Sequence, residues 1–179
     1  MVANATDKKW LSCPKPNSQA KLKLFCFPYA GGNSQTYRAW PFKLPETVEV
    51  HMVNLPGRGT RLREAPITRL APLVDEVAEA IRPELDKPFA FFGHSMGALI
   101  AFELVHQLRK QNHVNPAHLI VSGRGAPHMP KTEPQTHDLP EKEFIEELRR
   151  LNGTPTETLE HPERSETPPD STQTNSLYK

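Results

Sequence analysis

Phe89-Ala90-Phe91-Phe92-Gly93-His94-Ser95-Met96-Gly97-Ala98-Leu99-Ile100 is a short apolar run that breaks at Gly-His-Ser-Met-Gly and resumes as helix-forming sequence. A G-x-S-x-G between a buried strand and a helix describes a nucleophile elbow, a tight turn that lifts a serine hydroxyl clear of the sheet edge. The nucleophile would be Ser95. Gly93 and Gly97 lack the side chains that would keep the first helical turn away from the strand, and the serine must accept a backbone strain that packing over-determines. The five-residue pattern alone is unspecific, because glycine punctuates many loops. Its strand-to-helix context gives it weight.

An alcohol at neutral pH is a poor nucleophile, so chemistry at Ser95 needs a base for its proton and donors for the charge that develops on the attacked carbonyl. One donor is the backbone N–H of Met96, helped by the positive end of the helix that begins there. A second is expected from a glycine-rich loop after an earlier strand, and Phe27-Pro28-Tyr29-Ala30-Gly31-Gly32-Asn33-Ser34 fits that place, with Ala30 presenting its N–H beside Met96. Each glycine stretch taken alone reads equally well as a mere tight turn. Their order along the chain joins them.

The 179 residues suit one domain with a substantial core and are too few for two comfortable ones. A net charge of +1, from 22 Lys and Arg against 21 Asp and Glu, gives no electrostatic case for nucleic acid or an acidic membrane surface. No apolar run approaches the roughly 20 residues that span a bilayer, and Met1 to Ala20 lacks the hydrophobic segment of a secretory signal. A cytoplasmic monomer is expected. Cys13 lies in a polar leader and Cys26 inside an apolar run, a pair with neither metal-ligand spacing nor a disulfide framework. Gly31-Gly32 lacks the Lys-Ser/Thr ending of a P-loop, so a nucleotide is not expected; no other cofactor and no metal are expected either.

Working outward from the elbow, Lys21 to Pro28 and Val48 to Leu55 read as strands, each ending in a glycine loop. Leu70, Leu73, Val74, Val77, Ala78 and Ile81 repeat at helical spacing, with Pro72 tolerable in the first turn and Pro83 ending the run. Phe89 to Phe92 is the strand before Ser95. The helix from Met96 to about Lys110 is apolar around most of its circumference and is predicted buried. His118 to Gly123 makes one more strand. Strands alternate with helices, which predicts an α/β fold with a mostly parallel sheet.

After Gly125 the prolines 127, 130 and 134 mark a loop of the length associated with lids. Asp138 and Glu141 have capping-box spacing before the apolar face Phe144, Ile145, Leu148 and Leu151. The tail, 163–179, is almost free of apolar residues and reads as disordered. The expected organisation is a polar leader over 1–20, a domain over 21–162 with its lid segment from about 126, and that tail.

Four blocks together resemble a known family: Phe27-Pro28-Tyr29-Ala30-Gly31-Gly32, Leu55-Pro56-Gly57-Arg58-Gly59 with Arg61, Gly93-His94-Ser95-Met96-Gly97-Ala98, and Ser122-Gly123-Arg124 with Ala126-Pro127-His128. They look like the stand-alone type II thioesterases, α/β-hydrolases that accompany nonribosomal peptide synthetases and polyketide synthases. The resemblance implies hydrolysis of acyl groups from the phosphopantetheine thiol of acyl or peptidyl carrier proteins. It implies that Ser95 attacks the thioester carbonyl, that Ala30 and Met96 hold the oxyanion, and that water releases an acyl-Ser95 intermediate.

In α/β-hydrolases the acid and the histidine base follow the serine, and in this family they lie on loops after later strands. Beyond Ser122 this sequence offers a loop, a charged helix and a polar tail, so the fold is expected to be incomplete at its C-terminal end. Homology is expected to end near Pro162, with unrelated sequence from Arg164. Asp138 with His161 has the triad's chain order, and His128 and His137 lie nearby, but all belong to the lid-like segment, and Asp138 is better explained as a helix cap. The other histidines are expected to be packing or surface residues. Two further readings stay open: a general carboxylesterase, which shares the elbow, and a catalytically dead carrier-binding module or gene fragment. Arg58 and Arg61 could contact an anionic phosphopantetheine, though solvated arginines in a turn is the plainer expectation.

Overall fold

The computed structural model describes residues 7–112, 114–127, Met129, Pro140, Glu143 and Glu146. All of the expected lid helix but Glu143 and Glu146, the tail over 163–179, and His113, His128, His137, Asp138 and His161 lie outside the described residues. A short helix α1 (Asp7–Trp10) leads into β1 (Leu11–Ser12), followed by β2 (Leu22–Phe27), β3 (Val48–Val53), α2 (Leu70–Ile81), β4 (Phe89–His94), α3 (Met96–Asn112) and β5 (His118–Ser122).

The strands form one sheet in the order β1-β3-β2-β4-β5, parallel throughout except for β1. Alternation along each strand divides the core in two. Phe25, Phe27 and Phe91 point to the side covered by α2 and α3, where Phe91 meets Phe25 and Phe27 edge-on at 5.9 and 5.5 Å. Leu24, Cys26, Val50, Met52 and Ala90 point to the other side. Tight 3-10 turns at Ser34–Tyr37 and Trp40–Phe42 cover that side, and the Tyr37 hydroxyl donates to the Phe27 carbonyl at 2.8 Å. Edge-on aromatic pairs of this kind add about 0.5–1.5 kcal/mol each beyond their buried area.

The chain order fixes where a site can form. From β2 the chain steps outward to β3, then crosses back through α2 to place β4 on the other side of β2. Loops leaving the C-terminal ends of β2 and β4 therefore diverge, and a crevice opens at that switch point. The glycine-rich loop and the Ser95 elbow are those two loops.

Two expectations need correction. The leader does not stay apart from the domain: Trp10 is 5% exposed within the core, and Leu11 and Ser12 pair antiparallel with Val53 and Met52. One tryptophan and a two-residue strand carry no periodicity to read. Nor are Arg58 and Arg61 solvated, since both are buried. The Arg61 guanidinium lies 4.0 Å over the Trp10 ring, donates to the Asn54 carbonyl at 2.9 Å, and grips Glu64 through Nε and Nη2 at 3.1 and 2.8 Å. Lys9 reaches the same carboxylate at 2.9 Å.

At the opposite edge β5 is thinly covered, with Ile120 47% and Val121 51% exposed. Among the described residues it pairs with β4 alone.

Trp10→Ala is expected to cost about 3–5 kcal/mol of unfolding free energy, as for other large-to-small core changes. Arg61→Ala is expected to be of similar size, and the double variant less than additive because the two side chains touch. Urea unfolding of the three variants checks this. Hydrogen bonds from Arg61 and Lys9 hold the Glu64 carboxyl down at about 2. Its stabilising contribution is therefore complete above the unfolded value of about 4.3 and disappears as pH falls toward 2. Denaturation midpoints measured across that acid range should fall, and Glu64→Gln should flatten part of the fall.

Candidate active site

Ser95 sits one residue past β4 with φ +52, the only described residue other than glycine at positive φ. Such a conformation costs on the order of 1–3 kcal/mol and persists only where surroundings enforce it. They do so from three sides. The Ser95 N–H donates to the Ser122 carbonyl at 2.8 Å, prolonging the β4–β5 ladder. Its own carbonyl accepts the Ala98 N–H at 3.1 Å, starting α3. Finally, a Cβ on Gly97 would land on the Phe27 carbonyl, and one on Gly93 on the Gly97 carbonyl. The elbow closes because neither side chain exists.

Close approach at Gly97 brings the start of α3 against the end of β2 and the chain entering the glycine-rich loop. There the Gly32 N–H donates to the Tyr29 carbonyl at 3.0 Å, and Gly31 has φ +77, the third-residue geometry of a type II turn. The N–H of the second residue, Ala30, is not used by that turn's hydrogen bond. Met96 occupies the first position of α3, where no intrahelical acceptor exists for its N–H, while its side chain is fully buried. Ser95 itself is half-buried. Ser95, the first residue of α3 and the Ala30 turn thus all stand at the C-terminal ends of β4 and β2.

The sequence around Ser122 carries no signal of its role, which emerges only from the β4–β5 register. Besides accepting the Ser95 N–H, its Oγ lies 3.1 Å from His94 Nδ1. The His94 ring stands edge-on to Tyr29 at 5.9 Å. His94 is thus a packing residue that ties the elbow to both neighbouring loops. Among the described residues no side chain hydrogen-bonds the Ser95 hydroxyl. His51 is held by Glu49, and His106 packs on Phe102. Neither cysteine competes as a nucleophile: burial pushes the Cys26 thiol up to about 12, and burial with Glu49 nearby pushes Cys13 to about 11.

Arg58 is the unusual group near this crevice. It is 7% exposed, its Nε and Nη1 have no hydrogen-bond partner, and burial lowers its pKa. The adjoining Gly59 packs against Asn33, which follows the Tyr29–Gly32 turn.

A parallel sheet with a left-handed serine at a strand-to-helix turn, facing a glycine turn on the adjoining strand, defines an α/β-hydrolase fold. The chain belongs to the thioesterase domain family, which it matches over residues 22–168. It is 50% identical over 155 residues to the gramicidin S biosynthesis protein GrsT of Aneurinibacillus migulanus, covering 87% of this chain and 60% of that protein. It is 47% identical over 163 residues to the linear gramicidin dehydrogenase LgrE of Brevibacillus parabrevis, covering 91% and 62%. Among solved structures it superposes on RedJ, a thioesterase from the prodiginine pathway of Streptomyces coelicolor, with a TM-score of 0.77 and 37% identity, covering 92% of this chain and 65% of RedJ. The chain spans about 60% of the length of the curated relatives it matches.

Gly97→Ala is expected to abolish recovery of folded protein, because the clash is with backbone that cannot yield. Gly125→Ala, with nothing within 4 Å of its added methyl, should fold normally. Arg58→Met should leave stability unchanged or raise it by about 1–3 kcal/mol, since an apolar group replaces buried unmatched donors. Circular dichroism and urea unfolding separate the three.

Proposed function

We propose that this chain carries the nucleophile and oxyanion donors of a thioesterase that frees acyl groups from carrier-protein phosphopantetheine thiols in nonribosomal peptide or polyketide synthesis. The observation that supports it most is Ser95 at φ +52, turned out of the sheet beside the Tyr29–Gly32 turn. Membership of the thioesterase family and likeness to a gramicidin S biosynthesis protein and a prodiginine-pathway thioesterase support the substrate class. The dehydrogenase in one relative's name is not carried over to this chain, whose loop after β2 reads Tyr-Ala-Gly-Gly-Asn, without G-x-G-x-x-G spacing.

In the proposed reaction Ser95 Oγ adds to the thioester carbonyl, and the carbonyl oxygen takes up negative charge between the N–H groups of Ala30 and Met96. Collapse breaks the C–S bond, and the phosphopantetheine thiol leaves with a proton. Water then cleaves the acyl-Ser95 ester. The described residues supply the nucleophile and donors but no base for the Ser95 proton. Removing the base of a serine triad costs on the order of a million-fold in turnover and leaves roughly a thousand-fold over water.

The purified chain is therefore expected to hydrolyse an acyl-thioester slowly, with Ser95→Ala changing the rate little. A robust rate abolished by Ser95→Ala would overturn the low turnover while supporting the nucleophile. Binding of an acylated carrier protein is expected and separates a carrier-recognising chain from a fragment. Equal hydrolysis of simple esters and thioesters by a fast enzyme would favour a carboxylesterase.

A further inference from the structure

Away from the crevice, on the β1 side of the sheet, three ligand-bearing side chains converge. Glu49 and His51 are two apart on β3 and so share one face. Pairing of Leu11 with Val53 and Ser12 with Met52 carries the chain on toward His51 at Cys13. One ligand atom from each of Cys13, Glu49 and His51 lies within 4.8 Å of the other two. Glu49 and His51 are 8% and 5% exposed, and Cys13 is half-buried.

The group is already ordered. His51 Nε2 lies 2.7 Å from Glu49 Oε1, and the Asn17 N–H donates to Oε2 at 2.5 Å. Nearby charges do not oppose a cation: Lys23 is matched by Glu84 at 2.6 Å and Asp86 at 2.7 Å, and Lys87 is turned onto the Ser18 and Ala20 carbonyls. An open cavity of about 580 Å³, lined by Asn17, Lys23, Glu49 and Asp86 among others, gives an ion a route to Glu49.

We propose that Cys13, Glu49 and His51 form a site for a zinc-class divalent ion, with water as a fourth ligand. A thiolate, an imidazole and a carboxylate suit zinc, whereas magnesium and calcium prefer oxygen alone. On binding, the Cys13 S–H bond breaks, its proton passes to solvent, and sulfur bonds the metal. The Nε2–H that bridges His51 to Glu49 is also given up, its proton passing to Nδ1 through solvent, so the hydrogen bond is exchanged for metal bonds and the two atoms move apart by roughly half an ångström to meet tetrahedral geometry. The ion would clamp the segment after β1 to β3. It has no part in Ser95 chemistry, so its failure and that of the proposed function are independent.

The test titrates the reduced, metal-free full chain with cobalt(II) as a spectroscopic probe and then with zinc. One cobalt per chain with a thiolate-to-cobalt charge-transfer band is expected, displaced by zinc and absent from Cys13→Ser. His51→Gln should weaken binding by about tenfold or more. Cys26→Ala, which alters the other thiol, should keep the band. Zinc should also slow amide exchange over residues 11–17 in the parent and not in Cys13→Ser, a readout that does not require every variant to fold. No thiolate band under excess cobalt, a band that survives Cys13→Ser, or exchange unaffected by zinc would overturn the proposal.

Discussion

Contact between the first turn of α3 and the end of β2 is the constraint from which the rest of the site follows. At Gly97 the helix backbone lies so close to the Phe27 and Pro28 carbonyls that no side chain fits between them. Seating α3 this deeply buries Met96, Ile100, Ala101, Leu104 and Leu108 against the sheet, and the helix can begin there only if the chain reverses sharply after His94. The reversal forces Ser95 into the left-handed region. It also brings the N-terminus of α3 to the loop that follows β2, so the proposed nucleophile and the proposed oxyanion donors share one steric origin.

That part of the molecule was legible because each signal is local. Apolar runs bounded by glycine marked β2, β3, β4 and β5, and the helical spacing of Leu73, Val74, Val77 and Ile81 marked α2. Element ends moved by a residue or two: β2 begins at Leu22, where pairing with Val48 begins, and β4 runs on to His94 because β5 extends beside it to Ser122. What stayed hidden depends on distant partners. Nothing around Trp10 announces that Arg61 will stack on it, and Ser122 acquires its contacts with Ser95 and His94 only through register. A faint clue did exist for Arg61, since Glu64 follows it at a spacing that allows a local ion pair. Similarly, Glu49 and His51 stand two apart in a predicted strand, but Cys13 reaches them only because the leader folds back along β3.

Arg58 and Arg61 show how little composition says about an arginine. They sit three positions apart in one glycine-rich turn and both are buried. Arg61 is matched by an aromatic face, a carbonyl and a carboxylate, and joins leader, turn and core. Arg58 has no partner for Nε or Nη1. Equal burial therefore has opposite energetic meaning in the two cases, and only the inventory of partners distinguishes them.

The dependence of Ser95 on Ser122 sets a limit on how long the elbow keeps its shape. A strand held by fewer buried contacts opens locally at lower free energy than one buried on both faces. β5 is the strand with the least cover among those described, and its last residue accepts the Ser95 N–H. Each local opening of β5 removes the acceptor that holds the serine in its high-energy conformation. The time for which Ser95 stays in that conformation is then governed by the opening of β5 from β4, and not by the global stability of the domain.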